Sequence, residues 1–253
     1  MEMDLAFFAI AVPAVLVAGI SKGGLSGLGV LSVPLLALVI SPAQAAALML
    51  PILCLMDLFG LWAFRRCWSR EHIRVMLPGA IAGIALGSLT FGHLSDDGVR
   101  ILVGAIAVLF ALNNWLRAKG RLRPDAAARP SALQGGFWSA LSGFTSMLAH
   151  AGGPPVMIYL LPLRLEKMLF AGTTVVFFAV VNYVKLIPYY WLGQLNLSNL
   201  TATLILSPLA PLGIWAGVWL TRRVPEALFY KAAYVLLMAT GLKLLYDGIA
   251  GPG

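Results

Sequence analysis

Apolar residues in this chain come in long blocks rather than in the period-two or period-3.6 alternation of a water-facing fold. Ten such blocks can be marked, at residues 5–20, 30–40, 43–64, 73–91, 99–116, 132–149, 156–163, 168–190, 201–220 and 227–246. The polar connectors between them are short, apart from the one at 117–131. Blocks this long and continuous predict membrane-spanning helices, because a helix satisfies its own backbone groups inside hydrocarbon. Eight of the ten have the length to cross alone. The second and seventh fall short, since ~11 residues of helix cover about 16 Å of a ~30 Å core. The expected fold is therefore all-α. It is a polytopic helical membrane protein of about eight full spans plus two short broken or re-entrant segments.

Each short block follows a glycine cluster, GGLSGLG at 23–29 and HAGGPP at 150–155. Glycines ahead of a short apolar helix mark discontinuous helices, which place backbone polar groups at membrane depth. The two halves also resemble each other. Pro78, Gly83 and Gly87 recur 130 residues later as Pro208, Gly213 and Gly217. Earlier in the chain an offset of 125 pairs Gly27 with Gly152 and Asp57 with Asn182. Such spacing predicts a duplicated unit: a first repeat at 1–118, a basic cytoplasmic linker at 119–131 and a second repeat at 132–253. With five segments in each, the copies run through the membrane in opposite directions. Inverted-topology repeats of this kind build many secondary transporters.

Composition agrees with the block pattern. Of 253 residues, 60% are hydrophobic and 11% charged, against about 25% charged in soluble domains. The net charge of +8 is concentrated in connectors. Arg65, Arg66, Arg70 and Arg74 share one, Arg117, Lys119, Arg121, Arg123 and Arg129 the next, and Arg222 and Arg223 a third. The positive-inside rule then places loops 65–74, 117–131, 164–167 and 221–223 in the cytoplasm, and connectors 92–98 and 191–200 outside. Anionic lipid headgroups suffice as partners for this charge, and no nucleic acid is implied. Cys54 and Cys67 lack both C-x-x-C spacing and a partner at metal-ligand spacing, so they read as packing residues. The acidic start, MEMDLAFF, has no positive n-region, so the first block reads as a retained span. Two glycosylation-like matches, Asn196 and Asn199, fall in a very short loop and read as chance.

Polar residues inside the blocks carry the chemistry. A lysine at the centre of a span costs roughly 2.5–3.5 kcal/mol on insertion scales. Lys22 can escape that cost by snorkelling from near a membrane face. The glycines beside it point to another use. Backbone N–H groups around Gly23 and Gly24, next to an ammonium, make an anion site, with Ser21 and Ser26 as hydroxyl donors. The second half offers a counterpart at 142–155, where Thr145, Ser146, His150, Gly152 and Gly153 surround the interruption. The alternatives are close helix packing for the glycines and an ordinary buried histidine for His150. Asp57, Asn182 and Lys185 lie in later apolar blocks, and Thr173 adds a hydroxyl. Asp57 and Lys185 are candidates for ion coupling or for a structural ion pair, and Lys185 can also snorkel.

Nearly the whole chain resembles the TauE/SafE family, also called the toluene-sulfonate uptake permease family. The resemblance lies in GISKGGLSGLGVLSVPLLAL in the first half, HAGGPPVMIYLLPL and AGTT in the second, and the duplicated layout. It implies movement of sulfite, sulfonates and similar small organosulfur anions across the bacterial inner membrane. The leading expectation is thus a secondary transporter for a small sulfur oxyanion, with no enzyme activity, no cofactor and no metal. The anion would sit at mid-membrane on broken-helix N–H groups, with Asp57 or His150 coupling transport to protons. There is no Walker-type phosphate loop. Its partners are a small-molecule anion and membrane lipid, and a homo-oligomer is compatible with the sequence. Two other classes remain open. Ser26, in Gly24-Leu25-Ser26-Gly27, could pair with His150 as an intramembrane serine hydrolase. Asp57 could serve a cation transporter, although hard cations prefer several oxygen ligands. A non-transporting accessory subunit would leave the glycine clusters unexplained.

Overall fold

The computed structural model describes residues 4–24, 29, 32–36, 39–40, 42–91, 95–118, 131–195 and 197–250. Among these residues the chain is helical, with no strand. The helices are α1 (Leu5–Lys22), α2 (Ser32–Leu36), α3 (Pro42–Phe64), α4 (Arg70–Leu89), α5 (Asp96–Ala118) and α6 (Ala132–Ala149). After them come α7 (Gly153–Leu160), α8 (Lys167–Trp191), α9 (Leu197–Leu206), α10 (Leu209–Arg223) and α11 (Glu226–Ala250). Every apolar block except the ninth corresponds to one helix. The short second and seventh blocks hold α2 and α7, of 5 and 8 residues.

Four helices, α1, α3, α4 and α8, are long and apolar enough to cross a membrane by themselves, and a fifth crossing follows if α9 and α10 count together. The expected eight are not reached by this measure among the described residues. α5 and α11 match these four in length, with 23 and 25 residues. On α11, Leu228, Val235, Leu242 and Ile249 recur every seventh residue and are all exposed. A stripe of that kind suits lipid and not water.

The ninth block was expected as one span. The structure divides it at Ser207 and Pro208, where α9 and α10 meet at 51°. Proline cannot donate a backbone hydrogen bond, and its ring crowds the preceding turn. The Ser207 hydroxyl caps the loose end by donating to the Thr203 carbonyl at 2.7 Å.

The chain forms two compact units that do not follow its halves. Unit 1 combines Met1–Ile73 with Lys167–Val224, and unit 2 combines Arg74–Glu166 with Pro225–Gly253. In unit 1, Ala11, Ala14 and Ala18 of α1 pack with Leu48, Met49 and Ile52 of α3 and with Ala210 and Ile214 of α10. Asp4 opens α1 by accepting the Phe7 N–H at 2.8 Å. Glycines bring α1 and α10 into backbone contact: a Cβ on Gly19 would lie 2.7 Å from Gly213 Cα, and one on Gly217 would lie 2.8 Å from Gly23 Cα. Unit 2 uses glycines of α4 for the same purpose. A Cβ on Gly83 would lie 2.9 Å from the Phe144 nitrogen, and one on Gly87 would lie 2.9 Å from Met147 Cβ. Small residues allow helices in lipid to approach this closely, where dispersion then holds them.

Candidate functional site

Unit 1 gathers its polar interior where α1 ends. Lys22 is the last residue of α1. Its ammonium forms an ion pair with Asp57 Oδ1 from α3. The other oxygen of that carboxylate accepts a hydrogen bond from the Asn182 side-chain amide of α8, at 2.8 Å. Asp57 is completely buried, and so is Lys185, one turn beyond Asn182. Asp57, aligned with Asn182 by the sequence offset, is therefore in direct contact with it. The sequence allowed an Asp57–Lys185 pair, but the ion pair observed is with Lys22. A snorkelling Lys185 is excluded by its burial.

The amides assigned to the anion at Gly23 and Gly24 are occupied. Gly23 N–H donates to the Gly19 carbonyl at 2.8 Å, and Gly24 N–H to the Ser21 carbonyl at 3.1 Å. The reason is polarity: these glycines close the C-terminus of α1, and a helix C-terminus presents carbonyls. Gly24 has φ +124, and the Gly23 carbonyl accepts the Thr221 hydroxyl of α10 at 3.2 Å. Lys22 in the last turn complements that end of the helix. Ser21 is half-buried. Ser26, and with it the serine hydrolase dyad, lies outside the described residues.

Thr173 is also committed. Its hydroxyl donates to the Leu169 carbonyl at 2.6 Å and accepts the Ser69 N–H at 2.9 Å, which ties the α3–α4 connector to α8. A hydroxyl has a single hydrogen, so Thr173 has no donor left for an anion.

In unit 2 the interruption lies between α6 and α7. His150 ends α6 in a left-handed conformation, φ 53 and ψ 23. Its ring nitrogen Nδ1 is 3.1 Å from the Ser146 carbonyl. Left-handed backbone at a helix end normally belongs to glycine. The Thr145 hydroxyl serves the carbonyls of Leu141 and Ala151, at 2.9 and 3.1 Å, so it too has no hydrogen for a ligand. Ser142 donates to the Gly152 carbonyl at 2.8 Å. Gly152 fits closely, since a Cβ there would lie 2.9 Å from Ser146 Cβ. Gly152 and Gly153 open α7, followed by Pro154 and Pro155, which carry no N–H. No hydrogen-bond partner for the N–H of Gly152 or Gly153 is present among the described residues. A helix N-terminus with two such amides attracts negative charge.

Residues 11–244 match the family described as Sulfite exporter TauE/SafE. The chain belongs to the TauE/SafE family. It is thus a membrane transporter and not an enzyme, and the intramembrane hydrolase reading is set aside. Among curated proteins this TauE/SafE chain is similar to the "Probable inner membrane transporter protein TsaS" of Comamonas testosteroni. The two are 28% identical over 176 residues, covering 68% of this chain and 70% of the relative. No solved structure matches it.

Several contacts of this TauE/SafE site were missed in the sequence. Thr221 could have been found from its place 130 residues after Phe91, at the end of the glycine repeat, but threonine at a helix end is too common to stand out. The Cys54 carbonyl, one turn before Asp57, accepts the Tyr183 hydroxyl at 3.1 Å. No sequence spacing signals a backbone acceptor. Ser142 begins the 142–155 stretch, and its bond to Gly152 follows only from the fold.

Proposed function

We propose that this protein is a secondary transporter that moves a small sulfur-containing oxyanion, sulfite or an organosulfonate, across the bacterial inner membrane. The observation that carries the reading is a set of ionisable side chains in the interior of unit 1. Lys22, Lys185 and Asp57 are brought together within unit 1, and lysines outnumber carboxylates there. Ionisable groups at membrane depth mark the path of a charged substrate, and an excess of lysines fits an anion. The amides of Gly152 and Gly153 at the start of α7 give unit 2 two N–H donors for oxyanion oxygens, with Ser146 and His150 beside them. This replaces the symmetrical site expected from sequence, in which Gly23 and Gly24 were equal donors.

The halves at 1–118 and 132–253 are read as inverted copies of one ancestral unit. Their support is the reuse of Gly83 and Gly87, and of Gly213 and Gly217, for the same kind of helix contact. A purified preparation titrated with sulfite, thiosulfate, sulfate, sulfoacetate, taurine and acetate tests the function, with thermal unfolding as readout. Stabilisation by a sulfur oxyanion and not by acetate is expected, and Gly153→Val should reduce it at least tenfold in apparent affinity. Stabilisation by divalent cations and by none of the anions would overturn the reading in favour of a cation carrier using Asp57.

A further inference from the structure

Four helix ends meet at one face of unit 1. Phe64, the last residue of α3, packs with Ala171 and Val175 of α8, and Val218 of α10 joins the same cluster. The α3–α4 connector lies on α8, where the Ser69 N–H donates to the Thr173 hydroxyl at 2.9 Å. Lys167, the first residue of α8, donates to the Val224 carbonyl at 2.6 Å and so ties α8 to the end of α10. Three of these elements carry an arginine over a tryptophan ring. The guanidinium carbon lies 5.1 Å from the ring centroid for Arg65 on Trp62, 5.7 Å for Arg70 on Trp68 and 5.3 Å for Arg223 on Trp219. All three arginines are exposed, and so are Trp62 and Trp219.

Trp62 and Trp219 lie one turn inside their arginines, at the ends of α3 and α10. In a spanning helix that order puts the indole in the interfacial layer and the guanidinium about 5 Å further out, towards the lipid phosphates. Among the described residues, no carboxylate lies at ion-pair distance from any of the three arginines. Of the described carboxylates of unit 1, only Glu71 shares this face, since Asp57 is buried against Lys22 and Asp4 opens α1 at its far end. Arg70 is the first residue of α4, where a cation opposes the helix dipole, so helix stability does not account for it. Stacking uses the face of a guanidinium and leaves its N–H edge for oxyanions. Arg65 spends one N–H on the Trp62 carbonyl, at 3.0 Å. We propose that this face of unit 1 binds the headgroups of anionic phospholipids, with Arg65, Arg70 and Arg223 holding phosphate and the tryptophans setting the depth of the lipid. A zwitterionic headgroup fits poorly, because its own cation meets three guanidinium groups and indoles that already carry a cation. The site does not depend on which anion is carried.

A comparison of lipids on the intact protein tests the site. Delipidated protein in a neutral detergent would be supplemented with phosphatidylglycerol or with phosphatidylcholine of the same acyl chains. Native mass spectrometry counts the bound lipid, and thermal unfolding reads the stabilisation. Phosphatidylglycerol should bind at least roughly tenfold more tightly than phosphatidylcholine. Arg65→Gln, Arg70→Gln and Arg223→Gln should each weaken phosphatidylglycerol about fivefold, and the triple variant should erase the preference. Trp219→Leu keeps the charge and removes a stacking partner, so it should weaken both lipids. Lys243→Gln on α11, whose ammonium is paired with Asp247, should leave the preference unchanged. Inorganic phosphate at the same concentration should give no stabilisation.

Equal binding of the two lipids by wild type, or an undiminished preference in the triple variant, overturns the assignment. Stabilisation by inorganic phosphate equal to that by phosphatidylglycerol overturns it in favour of a site for soluble oxyanions. If the triple variant does not fold, the single arginine variants and the wild-type comparison decide the matter. Titration with sulfur oxyanions reports on the transport reading separately, and neither result decides the other.

Discussion

Lys22→Met is expected to cost about 3–5 kcal/mol of stability, the usual penalty for stripping one partner from a buried ion pair. Asp57 is fully buried and keeps only the Asn182 amide once the ammonium is gone. The lost attraction is the smaller part of the effect. Most of the penalty comes from a carboxylate left in an apolar interior with its solvation gone and its direct ion-pair partner removed. Adding Asp57→Asn to the same chain should therefore recover most of the loss, because it removes the stranded charge. Thermal unfolding in detergent of the two single variants and the double variant gives the coupling directly. Additive losses would mean that the pair is not the stabilising element described here.

A second large effect is expected at the α1–α10 contact. Gly217→Leu should prevent recovery of folded protein, or lower stability by more than the ~1–3 kcal/mol of ordinary overpacking. A Cβ at Gly217 would lie 2.8 Å from Gly23 Cα and 2.9 Å from Ile20 Cα, so a leucine meets backbone that cannot rotate away. The ends of α1 and α10 would have to separate, and Lys22 would move with them. Gly136→Ala is the contrasting substitution. A Cβ there meets nothing within 4 Å, and alanine favours helix over glycine by roughly 0.5–1 kcal/mol. Yield after extraction and size-exclusion behaviour compare the two. Equal behaviour would show that glycine at 217 is not needed for close packing.

The helices were legible because each is written as one apolar block with polar punctuation. The α1 and α3 bounds agree with the blocks to within two residues. The break at Pro208 was not legible, since Pro13, Pro51, Pro78 and Pro188 all sit inside continuous helices of the same chain. Whether a proline bends a helix or breaks it is decided by what packs around the freed carbonyls. Asp57 and Asn182 were singled out together by the offset of 125 residues, and their contact became visible only in the fold. The Lys22 partner was not singled out, because residues 35 apart in sequence carry no periodic signal of contact. The error over Gly23 and Gly24 had a readable cause. Glycine following an apolar helix is first a C-terminal cap, and only glycine preceding a helix, as at Gly152 and Gly153, exposes donors.

The commitment of the threonine hydroxyls reaches beyond packing. Thr145 in unit 2 and Thr173 in unit 1 spend their hydrogens on carbonyls of the protein, so each hydroxyl holds a helix end and not a ligand. Valine at either position should therefore loosen the local backbone without removing a hydroxyl hydrogen that a ligand could use.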